Sequence, residues 1–190
     1  MANCADIASN IGINCDDPLQ AGAEDMMVII PREDWKNASL TLNGTNAQII
    51  ENIILPSGVN GFSYQGKNKS ILPKYELIKA AFSENYKHEV NFKVFNLNPT
   101  IKKELESLAK SLVVVIIANK YKGTGGNAAF EVYGADSGLD LTQNIRDIGN
   151  AELGGAFDLI LTTSVEPHMP KTLFITSYAA SKAVFDSLYV

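Results

Sequence analysis

The sequence is poor in the residues that carry covalent cross-links or catalytic chemistry. Among its 190 residues are two cysteines, two histidines and one tryptophan. The cysteines, Cys4 and Cys15, have a spacing that fits no zinc-binding pattern, so we expect free thiols in a reducing compartment. A domain of this length buries about 70% of its unfolded surface, so it needs neither a disulfide nor a metal ion to fold.

The sequence also lacks long apolar runs and a recognisable targeting segment. Its apolar run Leu112–Ala118 is far shorter than the roughly 20 residues that a transmembrane helix requires. Met1–Asn10 has neither a basic segment nor an apolar centre, which predicts that there is no signal peptide. We therefore expect a protein that acts or is assembled in the cytoplasm and has no membrane partner.

Charged residues are few, and acidic residues outnumber basic ones. The chain has 21 Asp and Glu against 16 Lys and Arg, which gives a formal net charge of −5. Such a surface repels phosphates unless its cations cluster in one place. Tight binding to nucleic acid is therefore not expected.

No catalytic constellation is recognisable. The two candidate bases are His88, expected as an exposed residue at the start of a strand, and His168, expected in a loop between two prolines. No serine has the G-x-S-x-G setting, and Gly66–Ser70 lacks the glycine spacing of a phosphate-binding loop. The sequence predicts no catalytic residues, no cofactor site and no metal site.

One glycine loop requires a choice between two readings. Gly123–Ala128 formally matches G-x-G-x-x-A after a strand. A dinucleotide site requires a helix next, whose N-terminus holds the pyrophosphate. The following segment, Ala129–Gly134, alternates like a strand instead. We therefore predict a hairpin loop.

The chain is organised around the stretch Asn98–Leu141. Asn98 is a suitable N-cap, Pro99 suits the first helical position, and apolar residues then recur on one helical face. This pattern predicts a helix over about residues 99–112. The β-branched run Val113–Ile117 that follows predicts a strand covered on both faces.

Short strands separated by turns occupy most of the remaining chain. His88–Phe95 alternates most cleanly, with Val90, Phe92 and Val94 on one side. Tyr75–Phe82 fits either a strand or a helix. Further strands are expected over residues 26–30, 39–42, 47–55, 157–162 and 173–176, and a short helix over 177–190. The pattern predicts a mainly β (α+β) fold, an antiparallel β-sandwich or barrel with one flanking helix.

The chain divides into an arm and a domain. Residues 1–25 are polar and turn-rich, which predicts an extended N-terminal arm that needs a neighbour to order it. Residues 26–190 are expected to form a single β-rich domain. Because exposed strand edges pair readily with other chains, the apolar strand beside the arm is a candidate subunit interface. Its residues are Met26, Met27, Val28, Ile29 and Ile30.

Five segments together suggest a family. They are GINCDDPLQAGAEDMMVIIPREDW, HEVNFKVF, SLVVVIIANKYKG, AAFEVYGADSGLDL and GGAFDLILTTSVEPHMPKTLFIT. This pattern of strands and turns, which covers most of the chain, resembles a group of virion structural proteins from tailed phages and prophages of Bacteroidales-type gut bacteria. More distantly, it resembles the tail tube protein class.

The resemblance implies a non-enzymatic virion protein. In the tube class, a β-sandwich or barrel flanked by a helix forms six-subunit rings, and arms and loops join the stacked rings into a conduit for DNA. The implied partners are other copies of the chain, other tail proteins and passing DNA. An acidic wall suits such a conduit, because attractive phosphate contacts would slow transit. Two alternatives stay open: a β-sandwich binding or adhesion module for a carbohydrate or protein, and an enzyme with an unrecognised site.

Overall fold

The fold is a sandwich of two open β-sheets with helices packed around it. A computed structural model describes residues 19–67, 69–150 and 152–189. The strands in this part of the chain are β1 (Ala23–Pro31), β2 (Ser39–Leu42), β3 (Ile49–Ile54), β4 (Phe62–Gln65), β5 (Ile71–Lys79), β6 (Glu84–Val94), β7 (Val113–Asn119), β8 (Phe130–Tyr133), β9 (Asp140–Arg146), β10 (Phe157–Glu166) and β11 (Lys171–Leu173). The helices are α1 (Arg32–Lys36), α2 (Pro99–Leu108) and α3 (Tyr178–Ser187). The predicted mainly β sandwich is confirmed, and the sheets do not close into a barrel.

The larger sheet has seven strands in the order β2-β3-β11-β8-β7-β1-β4. The predicted strand β7 lies inside this sheet between β8 and β1, and it pairs antiparallel with β1 from Ala23↔Asn119 to Pro31↔Val113. Alternate side chains of β7 enter different cores, so Val113–Ala118 is buried on both faces. An uninterrupted β-branched run is expected in a strand whose two faces are both covered, as they are here. The pairing of β3 with β11 is parallel, a departure from the antiparallel expectation.

The first core lies between the two sheets. The smaller sheet, in the order β5-β6-β10-β9, contributes residues such as Phe92 and Leu159, which pack against Met27 and Ile29 of β1. Val90, Phe92 and Val94 of β6 face this core as predicted. Glu89 and Lys93 lie on the opposite face, where Glu89 is only 7% exposed.

Helix α2 covers one end of the first core. Asn98 Oδ1 accepts a hydrogen bond from the Ile101 backbone N–H at 2.8 Å, which confirms the predicted N-cap. Leu105 and Leu108 are buried on the inner face of the helix. The helix ends at Leu108 rather than near residue 112, so residues 109–112 separate it from the β-branched run that was expected to end it.

A second core lies on the opposite face of the seven-stranded sheet. Trp35 of α1 and Phe185 of α3 are buried there, and the Phe185 ring stacks on Phe130 with centroids 4.8 Å apart. The tail segment expected as a short helix forms α3, capped by Ser177. Three helices therefore accompany the strands in the described ranges, where the sequence predicted one flanking helix and a short tail helix.

The two edge strands of the smaller sheet and the start of the chain also differ from the expected pattern. Tyr75–Phe82, whose pattern fits either a strand or a helix, belongs mostly to strand β5. Strand β9 (Asp140–Arg146) is not among the strands expected from the sequence. Of the predicted arm, residues 1–18 lie outside the described residues. Leu19–Gly22 has no regular secondary structure, and Ala23–Asp25 already belongs to β1.

Candidate functional site

The strand that the sequence assigned to a subunit interface lies inside the seven-stranded sheet. Strand β1 pairs with β7 on one side and with β4 on the other. Met26 is partly buried, and Met27–Ile30 is at most 2% exposed. These five residues therefore build the cores of one copy of the chain, because both edges of their strand and both of its faces are already occupied. The candidate surfaces lie elsewhere.

The four-stranded sheet has two exposed edges. Strand β5 pairs with β6 alone and strand β9 with β10 alone among the described strands. All three strand pairings in the sheet are antiparallel. Large apolar side chains are exposed along β5 and in and after β9: Leu72, Tyr75, Leu77, Ile78, Ile145 and Ile148. A long, apolar, unpaired edge is a template for pairing with another chain.

The outer face of the four-stranded sheet carries charged groups in its middle and exposed apolar side chains (Leu72, Ile78, Ile145) on its two edge strands. Its register places on this face three lysines (Lys74, Lys87, Lys93) and four carboxylates (Glu76, Glu89, Asp140, Asp158). Glu89 is 2.9 Å from both Lys74 Nζ and Lys87 Nζ. Burial alone would raise the pKa of Glu89, but the two lysines outweigh that effect and lower it. The face is therefore charged but nearly balanced.

A cleft of about 990 Å³ opens beside strand β4. Its floor is apolar and includes Met27, Ile29 and Phe92 from the two sheets. Helix α2 supplies one wall through Ile101 and Leu108, and residues 62–66 run along another. Clefts of roughly 300–1,000 Å³ with apolar walls and a few polar groups are typical binding sites.

The polar groups of the cleft lie near its rim. Glu104, Ser107 and Ser111 of α2 line it together with Lys93 of β6. Tyr64 packs edge-on against Phe92. Burial, and to a smaller extent the negative charge of Glu104, raise the pKa of the Tyr64 hydroxyl. The cleft therefore combines an apolar floor with hydrogen-bonding groups at its opening.

His88 is buried at 1% exposure in the middle of β6 rather than exposed at a strand end as predicted. Its Nδ1 accepts a hydrogen bond from the Gly134 N–H at 3.1 Å, so the proton lies on Nε2, which donates to the His168 carbonyl at 2.9 Å. Burial lowers the pKa of His88 to about 4. The imidazole is therefore neutral at pH 7, with both nitrogens bound to backbone groups.

Glu166 is a second buried polar group at the same place. Its carboxylate accepts hydrogen bonds from the Ser137 N–H at 2.7 Å and the Asp136 N–H at 3.3 Å. Burial raises the pKa of Glu166, and these two bonds oppose the shift. No ion pair joins Glu166 to His88 in the described structure. Together they hold residues 134–137, through which the chain passes from the larger sheet to the smaller one.

The predicted glycine hairpin is confirmed. Residues 124–126 form one short 3-10 turn, and β8 follows and pairs antiparallel with β7. Gly126 has φ 94°, and a methyl group there would lie 2.5 Å from Tyr178 Cβ. The loop therefore packs against the start of α3, and the element that follows it in the chain is strand β8 instead of the helix that a dinucleotide site requires.

No group of three or more His, Cys, Asp or Glu residues in the described ranges is arranged to hold a metal ion. No helix within those ranges is long and apolar enough to cross a membrane. Cys4 and Cys15 lie outside the described residues.

Sequence reasoning missed the two sheet edges and the cleft. Alternation of polar and apolar residues reveals which face of a strand is buried, but it does not show which strands lie at an edge. Pro73 was the available signal for β5, because proline within a sheet is found on edge strands or at bulges. The chain matches no protein-family model, no curated protein and no solved structure.

Proposed function

We propose that this chain is a non-enzymatic structural subunit that assembles into stacked rings, in the manner of a tail tube protein of a virion. Copies join through the two edges of the four-stranded sheet, and the rings enclose a passage for DNA. The observation that carries this proposal is a sheet whose two edges have no partner among the described strands, are apolar in part and are complementary in direction.

The directions of the edge strands suit a ring. Successive strands of β5-β6-β10-β9 alternate in direction, and their number is even. Strand β9 therefore runs opposite to β5, and pairing β9 of one copy with β5 of the next continues the antiparallel pattern. A head-to-tail contact of this kind produces a closed ring when the rotation between copies closes.

The exposed side chains favour the same contact. Leu77 is 47% exposed on β5 and Ile145 is 50% exposed on β9, on opposite faces of the sheet, so an edge-to-edge contact would cover one apolar side chain on each face. Burying each of these side chains in a contact would contribute about 1 kcal/mol at the usual 25 cal/mol per Å² of apolar surface. Pro73 has no N–H to donate, so the pairing is expected on residues 74–79 of β5.

The outer face of the four-stranded sheet suits the wall of a conduit. It carries both signs of charge, and Lys74 and Lys87 are paired with Glu89. Paired lysines attract phosphates weakly, so DNA passing this face would meet little electrostatic retention. The net negative charge of the whole chain is not concentrated on this face, which is nearly neutral. A nearly neutral wall would hold passing DNA as weakly as the acidic wall expected from the sequence.

Two edge variants and one matched control test this proposal. Leu77→Asp and Ile145→Asp each place a charge at an edge of the smaller sheet, while Leu42→Asp places one at an edge of the larger sheet, on a residue 43% exposed. Light scattering and negative-stain imaging should show rings for the unmodified chain and for Leu42→Asp, and monomers for the two edge variants.

Other outcomes would contradict the proposal. An unmodified chain that stays a monodisperse monomer at high concentration has no ring contact, and glycan binding by that monomer would favour the adhesion module instead. Rings that persist in both edge variants would place the contact on another surface.

A further inference from the structure

The cleft beside β4 has an elongated apolar interior. Its floor includes Met27, Ile29 and Phe92, and at about 990 Å³ it is large enough to enclose most of a small ligand. Residues 62–66, which form one wall, extend over about 13 Å at the usual rise of a strand. The shape of the cleft therefore favours an elongated apolar body over a compact one.

A polar stripe of helix α2 runs along the cleft. Glu104, Ser107 and Ser111 are three and four residues apart, so they share one side of the helix. Ser107 Oγ donates to the Lys103 carbonyl and Ser111 Oγ donates to the Ser107 carbonyl, both at 3.1 Å. Because both hydroxyl protons are used within the helix, the two serines present lone pairs to a ligand and act as acceptors.

Glu104 determines the charge of the cleft. Lys93 also lines it, but its neighbours Phe92 and Val94 face the core, so the Lys93 side chain points to the opposite face of the sheet, beside Asp158. Glu104 forms no ion pair with another described residue. The cleft therefore presents one carboxylate without a cationic partner in the described structure.

The Tyr64 hydroxyl is a further polar group of the cleft. The Tyr64 ring is partly buried, and its centroid lies 5.7 Å from that of Phe92. Because its pKa is raised above the ordinary value of 10, the hydroxyl keeps its proton at pH 7. It is therefore a neutral group whose oxygen accepts hydrogen bonds, close enough to Glu104 to feel the charge of that carboxylate.

We propose that this cleft binds an amphiphilic amine, with its elongated apolar body on the floor and its protonated amino group at Glu104. An ammonium group has three donors and no acceptor, which complements a carboxylate and hydroxyl oxygens that accept. The inference goes beyond the proposed function and does not depend on it, because the ring contact uses the edges of β5 and β9.

A lysine at one end of the cleft sets the direction of the ligand. Lys67 Nζ lies 4.8 Å from the centroid of the Phe95 ring, which lines that end, although Lys67 itself does not line the cleft. A second cation there is disfavoured, so the amino group lies on the α2 side. An anionic amphiphile would use Lys67 instead and would be repelled by Glu104, so it serves as the competing probe.

Calorimetric titration with four probes tests the ligand class. The probes are n-decylammonium, n-decanol, n-decanoate and n-hexylammonium, each below the concentration at which it forms micelles. The unmodified chain should bind one n-decylammonium, at least about tenfold more tightly than n-decanoate, because Glu104 attracts the first head group and repels the second. Loss of four methylene groups should weaken n-hexylammonium at least about tenfold relative to n-decylammonium.

Two pairs of matched variants place the ligand in the cleft. Glu104→Gln should weaken n-decylammonium about three- to tenfold and leave n-decanol unchanged. Its control is Glu106→Gln, at an exposed position on the same helix that does not line the cleft. Ser107→Trp, which fills the cleft, should weaken n-decylammonium and n-decanol alike. Its control is Lys103→Trp, also exposed and outside the lining, which should bind both as the unmodified chain does.

Several results would overturn the inference. They are no binding of any probe, n-decanoate binding as tightly as n-decylammonium, and equal n-decylammonium affinity in Glu104→Gln and the unmodified chain. An equal loss in Glu106→Gln and Glu104→Gln also overturns it, because the amine would then be attracted by the acidic surface as a whole. A chain that forms no rings but binds n-decylammonium in the expected pattern supports this inference and contradicts the ring proposal alone.

Discussion

Acid should destabilise this protein through His88, and the structure sets both the sign and the size of the effect. The folded-state pKa of His88 is about 4, below its ordinary value of 6.5. The unfolded chain therefore binds this proton more readily. The contribution of His88 to stability is fully present above about pH 6.5 and is lost as the pH falls towards 4. Protonation also places a proton on Nδ1, which removes the acceptor of the Gly134 N–H.

A pKa difference of about 2.5 corresponds to a loss of roughly 3 kcal/mol between pH 7 and pH 4 at 1.36 kcal/mol per unit. Urea unfolding at several pH values should show this loss in the unmodified chain and a flatter profile in His88→Gln. Other groups, including Glu166, titrate in both proteins, so their contributions cancel in the comparison. The matched control is His168→Gln, which changes an exposed ring and keeps the backbone carbonyl that His88 binds.

The reasoning is refuted if the unmodified chain and His88→Gln lose stability in parallel between pH 7 and pH 4. It is also refuted if His168→Gln, rather than His88→Gln, flattens the profile. Either result would mean that the buried imidazole does not titrate as its two backbone bonds and its burial require.

Two further substitutions test the packing that supports the sheets. Gly126→Ala should cost about 2 kcal/mol or more in urea unfolding, because its methyl group would collide with the Tyr178 backbone, while Gly125→Ala, with open space around it, should cost about 1 kcal/mol. Phe185→Ala should cost about 3–5 kcal/mol by removing a buried ring from the second core, and Lys182→Ala, exposed on the same helix, should change thermal unfolding little.

The elements predicted best are those whose pattern depends on local chemistry or on a fully covered strand. The Asn98 cap and the Val113–Ile117 run each have one straightforward physical meaning, and the structure contains both. Strand β9 was not predicted, because Asp140–Arg146 is mostly exposed and its sequence therefore shows no regular alternation of apolar and polar residues. The pattern of β5 was ambiguous for the same reason.

The two sheet edges and the cleft could be predicted less well from the sequence, because they depend on which strands become neighbours in the fold. The run Met26–Ile30 indicated an apolar strand, but apolarity alone does not distinguish a subunit interface from a core. Long-range pairing placed this strand between β7 and β4. His88 was expected at an exposed strand end, but its burial follows from the position of β6 between β5 and β10.

The most direct test of assembly through sheet edges is amide hydrogen exchange on the assembled chain and on the Leu77→Asp monomer. Peptides from β5 (Ile71–Lys79) and β9 (Asp140–Arg146) should be strongly protected only in the assembly, because their free N–H groups gain partners there. The β2 edge (Ser39–Leu42) should exchange alike in both. Equal exchange of β5 and β9 in the two states would contradict the account.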